Sequence, residues 1–219
     1  MTSSTETDDD TLRRRVLEAM LREVPFDGWT SKSLRQALAS ARATNLDGDR
    51  LFPGGVGDVI RFFVDQADRA MVASTPADQL AKLPIRQRIA RLIKARFEAL
   101  APHRESIRRA VGTQVRAGSS SLLHSLYGTV DTIWREAGDT ATDFSLYTKR
   151  ATLAAVYAAT LLYWLDDSSE DSAETWAFLE RRLDNVMAFH KARGRADRFL
   201  SQLPDPVRIF RHSPLGGRR

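Results

Sequence analysis

The chain carries four histidines, His103, His124, His190 and His212, and no cysteine. Metal-assisted or acid–base chemistry would need these imidazoles paired with one another, or with carboxylates, at helical spacing. None stands in an HxxxH or HExxH pair. No glutamate lies three residues before a histidine, so the Glu-x-x-His pattern of di-iron helices is absent. Without cysteine, disulfides, thiolate nucleophiles and the usual zinc sites drop out. No GxSxG, GxGxxG or GxxxxGKS stretch occurs. His190 falls on an apolar helix face, the setting of a core residue. These residues describe a protein that is not an enzyme and takes no metal or cofactor.

The elements that would position any site are helical. No alternating β-branched pattern appears, and the apolar periodicity yields an all-α fold of roughly nine helices. Leu12, Val16, Leu17, Met20, Leu21 and Val24 share one face of a first helix over residues 11–24, which Pro25 ends. Residues 1–9 are left unstructured. Thr30 or Ser31 caps a helix to Ser40. A short element within residues 42–51 is broken by Gly48. The stretch 56–74 turns Val59, Ile60, Phe63, Val64 and Ala67 inward. Pro84 suits the first position of the next helix, whose stripe is Ile85, Ile89, Leu92, Ile93, Phe97 and Leu100. Residues 105–115 form another. Leu122, Leu126, Val130 and Trp134 recur every four residues, and Gly138 fits the C-terminal cap. Asp139 to Asp143 start a rod, and Asp171 with Glu174 reads as the capping box of the last helix. The inner side of that helix is Trp176, Leu179, Leu183, Val186, Met187 and His190.

The rod from Ala151 to Leu165 has no charged residue. An all-apolar helix is expected to be buried all round, here in the middle of the bundle. Its alternation of alanines with Tyr157, Tyr163 and Trp164 fits either a cavity or tight packing.

Charge is unevenly placed. Residues 191–219 carry +6, whereas residues 1–190 carry −1. Within the tail, Phe199, Leu200, Leu203, Ile209 and Phe210 alternate with Arg195, Arg198, Arg208 and Arg211. That is the pattern of insertion into an anionic membrane surface. A disordered or core-covering extension is the alternative. No apolar run reaches the ~18 residues of a membrane span, and MTSSTETDDD lacks a signal core. The expectation is a cytoplasmic protein, peripheral to a bacterial inner membrane.

Specific motifs sharpen this. The stretch LYGTVDTIWREAGDTATDFSLYTKRATLAAVY, followed by DDSSEDSAETWAFLERRLDNVM, resembles the ubiquinone (coenzyme Q) biosynthesis accessory family of the ninth Coq protein and its bacterial relatives. LPIRQRIARLIKARFEALAP is similar too. The AGDxxTDFxxYTxR pattern is carried by Ala137, Gly138, Asp139, Thr142, Asp143, Phe144, Tyr147, Thr148 and Arg150. The likeness covers about residues 10–193 and is strongest from Leu122 to Met187.

The resemblance implies a TetR-regulator-like fold, with a degenerate helix-turn-helix over residues 10–76, a larger ligand domain over 77–194 and a basic tail over 195–219. It implies a homodimer that binds an isoprenoid lipid or quinone intermediate and presents it to a ubiquinone-pathway hydroxylase at an anionic membrane surface. The lipid-binding residues would be Leu126, Val130, Leu153, Val156, Tyr157, Leu161, Trp164, Trp176, Leu179 and Leu183. The hydroxylase would dock on Ile133, Trp134, Asp139, Asp143, Leu146, Tyr147 and Arg150, with Ile133, Trp134, Leu146 and Tyr147 as partly exposed anchors. Leu146 stands where relatives can carry an aromatic. The same segment also reads as a plain helix–loop–helix corner, in which Asp139, Thr142 and Asp143 cap the rod and Arg150 pairs with an aspartate.

A TetR-like fold raises DNA binding, and the residues oppose it. The place for a recognition helix, ARATNLDGDRLFPGGVGD, contains Gly48, Pro53, Gly54, Gly55 and Gly57, which weaken a helix, and Asp47, Asp49 and Asp58, which phosphates repel. Residues 1–75 carry −2, where a DNA reader carries a basic face. A ligand-responsive repressor is therefore the second reading, and a scaffold with a packed interior the third.

Overall fold

The computed structural model describes residues 2–116, 120–139 and 145–185. Their regular structure is helical throughout: α1 (Thr2–Asp27), α2 (Ser31–Ser40), α3 (Asn45–Leu51), α4 (Val56–Ser74), α5 (Ala77–Ala81), α6 (Ile85–Leu100), α7 (Arg104–Arg116), α8 (Ser120–Glu136), α9 (Ser145–Asp166) and α10 (173–185). The all-α expectation holds, and α5 adds a short helix between the stretch expected at 56–74 and the helix expected from Pro84.

One core runs through the helices. Val16, Met20 and Val24 of α1 join Val59 and Met71 of α4, Leu92, Ile93 and Phe97 of α6, Ile133 of α8, Trp164 of α9 and Leu179 of α10. The axis of the bundle is α6. It buries Ile89, Leu92, Ile93, Ala95, Arg96, Phe97 and Leu100. The Phe97 ring meets Tyr157, Trp164 and Trp176 at centroid distances of 5.4, 5.2 and 6.1 Å.

The uncharged rod is not the enclosed element. In α9, Leu153, Val156, Tyr157, Thr160, Trp164 and Leu165 are buried, but Ala151, Ala155 and Leu162 are exposed. The expectation of burial all round is corrected. An alanine exposes little apolar area, so a face built largely of alanines tolerates water at small cost. The helix ends against arginines of α7. Arg104 donates to the carbonyls of Trp164 and Asp167, and Arg108 to the carbonyl of Leu165 and, at 2.7 Å, to the Asp166 carboxylate. These cations fill the last carbonyls of α9 and oppose its dipole.

Other boundaries shift for local reasons. α1 starts at Thr2 rather than Thr11, so the stretch expected to be unstructured is mostly helical. Asp9 and Asp10 there pair with Arg50 and Arg69. Pro25 lies inside the last turn, which closes with the Gly28 N–H on the Val24 carbonyl at 2.9 Å. Gly48 does not break α3. It is buried against α2, where an added Cβ would stand 2.6 Å from Leu38 Cδ1, so its missing side chain permits the close crossing. α3 opens with a capping box between Thr44 and Asp47. Thr30 caps α2 by accepting the Ser33 N–H at 3.1 Å. Pro84 precedes the first turn of α6 instead of occupying it.

The expected Asp171–Glu174 capping box is replaced. Asp171 sits at φ 50°, and its carbonyl accepts from the Trp176 indole at 2.7 Å. The carboxylate that starts α10 is the buried Asp167. It accepts the N–H groups of Ser169 and Thr175 at 2.8 and 2.9 Å and the Thr175 hydroxyl at 2.5 Å. Burial raises its pKa, but the hydrogen bonds from Ser169 and Thr175 outweigh burial and hold it well below the usual carboxylate range.

Asp167→Ala would leave the buried Thr175 donors without an acceptor and cost about 1–3 kcal/mol. A depressed carboxylate contributes stability above its unfolded pKa of about 3.9 and loses it as acid titrates the folded state. Urea unfolding of both proteins should therefore show a constant gap from neutral pH to about 5, narrowing below about 4. A gap independent of pH would refute this role.

Candidate functional site

Two cavities lie along α6, α8 and α9, towards opposite ends of these helices. The first holds about 330 Å³ and is walled by α4, α6, α7, α8 and α9, through residues such as Phe63, Leu100, Val111, Leu126 and Leu161. Its rim includes three large apolar side chains left in water: Val115, Leu123 and Leu162, which are 63%, 69% and 57% exposed. Exposed apolar side chains grouped at a cavity mouth make it a candidate for a ligand or membrane contact.

Polar groups in this cavity's lining come together in one buried network. Arg96 of α6 donates through Nε to Asp68 of α4 at 2.6 Å, through Nη2 to the Thr129 hydroxyl of α8 at 3.3 Å, and through Nη1 to the Tyr157 hydroxyl of α9. Thr129 donates in turn to Asp68 at 3.1 Å. Burial pushes the Tyr157 phenol up to about 12 against the pull of the Arg96 charge, so it stays protonated at neutral pH. Arg96 belongs to the apolar stripe of its helix, at the register of Ile89, Leu92, Ile93 and Leu100. A charge at that register was the available sign of a buried ion pair, and the reading of the stripe passed over it.

The second cavity holds about 390 Å³ where α8 turns towards α9. Ile85 and Ile89 of α6, Leu153 and Val156 of α9 and Leu183 of α10 give it apolar walls, and Arg86, Trp134, Asp139 and Lys149 add polar groups. The turn is fixed by a Schellman motif. The Gly138 N–H bonds the Arg135 carbonyl at 2.9 Å, and the Asp139 N–H bonds the Trp134 carbonyl at 3.0 Å. Gly138 takes φ 87°, and Arg88 of α6 clamps the neighbouring Ala137 carbonyl at 3.0 Å. The aspartate so placed accepts from Lys149 at 2.8 Å, while Arg150 reaches Asp131 at 2.7 Å and stands 3.8 Å from Asp139.

The expected lipid-binding residues divide among three places. Leu126, Tyr157 and Leu161 line the first cavity, and Leu153, Val156 and Leu183 the second. Val130, Trp164 and Leu179 are buried in the core, and Trp176 is half-buried on Phe97 beneath Lys94. The helix-turn-helix region and α7 supply walls that the sequence reading did not assign to a ligand, among them Phe63 and Val64 of α4 and Ile107 and Val111 of α7.

The expected docking patch is likewise altered. Ile133 is fully buried in the α8 stripe, so it is no exposed anchor. Arg150 is buried and paired with an aspartate, as the corner reading has it, through Asp131; Asp139, expected there as a cap of the rod, is instead an ion-pair partner of Lys149. Trp134 is half-buried, donates to the Lys149 carbonyl at 3.3 Å and faces the second cavity. Tyr147 stands in water, 64% exposed. Asp143, the Leu146 side chain and the tail residues Phe199, Leu200, Leu203, Ile209 and Phe210 lie outside the described residues.

Two of the four histidines, His190 and His212, lie outside the described residues. His103 is half-buried edge-on to Phe63, where burial lowers its pKa, and His124 is exposed. Among the described residues no group of three or more side chains could hold a metal, and no helix is long and apolar enough to cross a membrane. In α3, Arg50 is bound to Asp9 and, at 3.5 Å, to Asp47, which leaves that helix without a free cation for a phosphate.

Comparison with known proteins follows the same lines. Residues 119–190 match the COQ9 family model. The chain is 32% identical over 190 residues to the ubiquinone biosynthesis protein COQ9, mitochondrial, of Homo sapiens, covering 82% of this chain and 58% of that protein. It is 32% identical over 187 residues to COQ9-B, mitochondrial, of Xenopus laevis, covering 82% and 64%. It thus spans 58–64% of the length of these curated relatives. Among solved structures it is similar to the TetR transcriptional regulator from Nitrosomonas europaea ATCC 19718, with a TM-score of 0.63 and 22% identity over 80% of this chain and 97% of that one. That likeness concerns the fold, which is TetR-like.

The buried pair in the first cavity should show strong coupling. Asp68→Ala leaves the Arg96 charge uncompensated and should cost about 3–5 kcal/mol. Asp68→Ala combined with Arg96→Met should cost much less than the sum of the single changes. Additive losses in a denaturant double-mutant cycle would show that the pair does not act as a unit. Gly138→Ala should cost about 1–3 kcal/mol, since φ 87° and an Arg88 nitrogen 3.1 Å from the new Cβ both oppose it; a neutral change in melting would refute that.

Proposed function

We propose that this chain, whose residues 119–190 carry the COQ9 family pattern, is a lipid-binding accessory protein of ubiquinone biosynthesis. In this reading it takes an isoprenoid quinone intermediate from a membrane surface and presents it to a membrane-associated hydroxylase. The observation that carries the reading is the first cavity, an apolar chamber whose rim is Val115, Leu123 and Leu162. Burying an isoprene chain there recovers about 25 cal/mol per Å² of apolar surface removed from water, the term that would otherwise hold the lipid in the bilayer. A cavity of about 330 Å³ encloses the end of such a molecule, and the apolar rim supports the length that extends beyond it.

Other features take places around this core. The basic tail, with apolar residues interleaved among its arginines, supplies the attraction to anionic lipid. Tyr147, exposed beside the α8–α9 corner, is the described residue best placed to meet the hydroxylase. Homodimerisation is part of the proposal. The repressor reading loses ground because Arg50 of α3 is already held by two carboxylates.

The test is organic extraction of the purified chain followed by mass spectrometry. The wild-type protein should yield isoprenoid or quinone lipid. Leu161→Trp, which adds bulk to the wall of the first cavity, should reduce the yield about tenfold, the effect of losing about 1.4 kcal/mol of binding. Empty extracts from the wild type, or an unchanged yield from the variant, would overturn the carrier reading.

A further inference from the structure

We propose that α7 is a yielding wall of the first cavity, which shifts outward so that the chamber takes a longer chain than its volume of about 330 Å³ admits. The inference rests on the carrier reading and adds to it the element that sets how much cargo the chamber encloses.

α7 stands between two spaces. Ile107, Ala110 and Val111 line the first cavity. Arg108, Arg109, Gly112 and Thr113 line a groove of about 400 Å³, whose opposite wall is Asp27, Gly28, Trp29 and Thr30 at the α1–α2 turn. The two sets interleave at helical spacing, so they occupy opposite sides of the helix. Other walls of the chamber have packed interior behind them. Phe63 of α4 and Leu100 of α6 are both buried, and displacing them would overpack the core. An outward shift of α7 instead takes up space in the groove.

The ties on α7 are uneven along its length. Its first half is fastened to neighbours. The Trp29 indole N–H donates to the Ser106 carbonyl at 2.8 Å, Arg104 donates to the Asp167 carbonyl at 2.8 Å, and Arg108 donates to the Asp166 carboxylate at 2.7 Å. The stretch that follows, Ala110 to Thr113, carries one hydroxyl and no charge, and its Gly112 lowers the stability of the helix. Across the groove lies Arg109, whose side chain is 38% exposed and whose Nη1 is 3.9 Å from the point where a Gly28 Cβ would stand. A long side chain partly in water changes rotamer as the backbone behind it moves. The segment Ala110–Thr113 therefore swings into the groove about the fastened turn at Ser106, a small shear of one packed helix past its neighbours.

Chain length is the test, because geraniol and geranylgeraniol share one chemistry and the second is twice as long. Isothermal calorimetry on the full chain measures both. Gly112→Trp adds bulk on the groove side and leaves the lining residues of the chamber unchanged. It should weaken geranylgeraniol about tenfold and change geraniol by less than about twofold. Thr113→Trp should repeat that pattern from the neighbouring position. Hydrogen exchange reads the shift in the wild-type chain, with no substitution. Geranylgeraniol should change the exchange of the α7 amides from Ala110 to Thr113 severalfold, and geraniol should leave them as they are. Equal weakening of both isoprenols, undiminished geranylgeraniol binding in both variants, or α7 exchange that bound geranylgeraniol does not alter would each overturn the yielding wall and leave the carrier reading standing. A wild-type chain that binds neither isoprenol would overturn both.

Discussion

Arg96 ties four helices at one buried point. From α6 it reaches Asp68 of α4, Thr129 of α8 and Tyr157 of α9. A guanidinium out of water is tolerable only when its donors are filled and its charge is met, and this network does both. The arrangement also explains how an apolar chamber persists beside a charge. The carboxylate, the hydroxyl and the phenol enclose the guanidinium, so the remaining walls can be hydrocarbon. With its pKa pushed up to about 12, the Tyr157 phenol stays protonated across the neutral range.

Fixing those four helices also fixes the corner at their far end. α8 stops in a left-handed glycine, the chain turns, and α9 begins with Lys149 and Arg150 facing the aspartates of α8 and the turn. At its other end α9 is held by Arg104 and Arg108 of α7. The uncharged span 151–165 is thus held by charged groups at both ends of its helix, and it supplies side chains to two cavities.

Much of this was legible in the residues, because some signals are local. A threonine before a helix caps it whatever surrounds it, as Thr30 does, and a glycine after an amphipathic stripe ends it, as Gly138 does. The dense polar and aromatic motif from Ala137 to Arg150 carried the family resemblance that residues 119–190 bear out. What failed depended on neighbours. Absence of charge from Ala151 to Leu165 suggests complete burial, but alanine faces can lie in water, and the more enclosed helix is α6, which carries five cationic residues. Capping by Asp167 instead of Asp171 is set by the reversal between α9 and α10, where Asp171 and Ser172 adopt positive φ. The division of the expected lipid wall between two cavities and the buried core follows from side-chain packing between helices distant in sequence, which periodicity does not encode.

Photo-crosslinking with a diazirine-bearing prenyl lipid, followed by peptide mapping, reads most directly whether the apolar chamber holds a chain. Labels should fall on wall residues such as Val111, Leu126 and Leu161, which different helices bring to one space. Labels found only on exposed surface, or a protein that emerges unlabelled, would contradict a lipid-bearing interior.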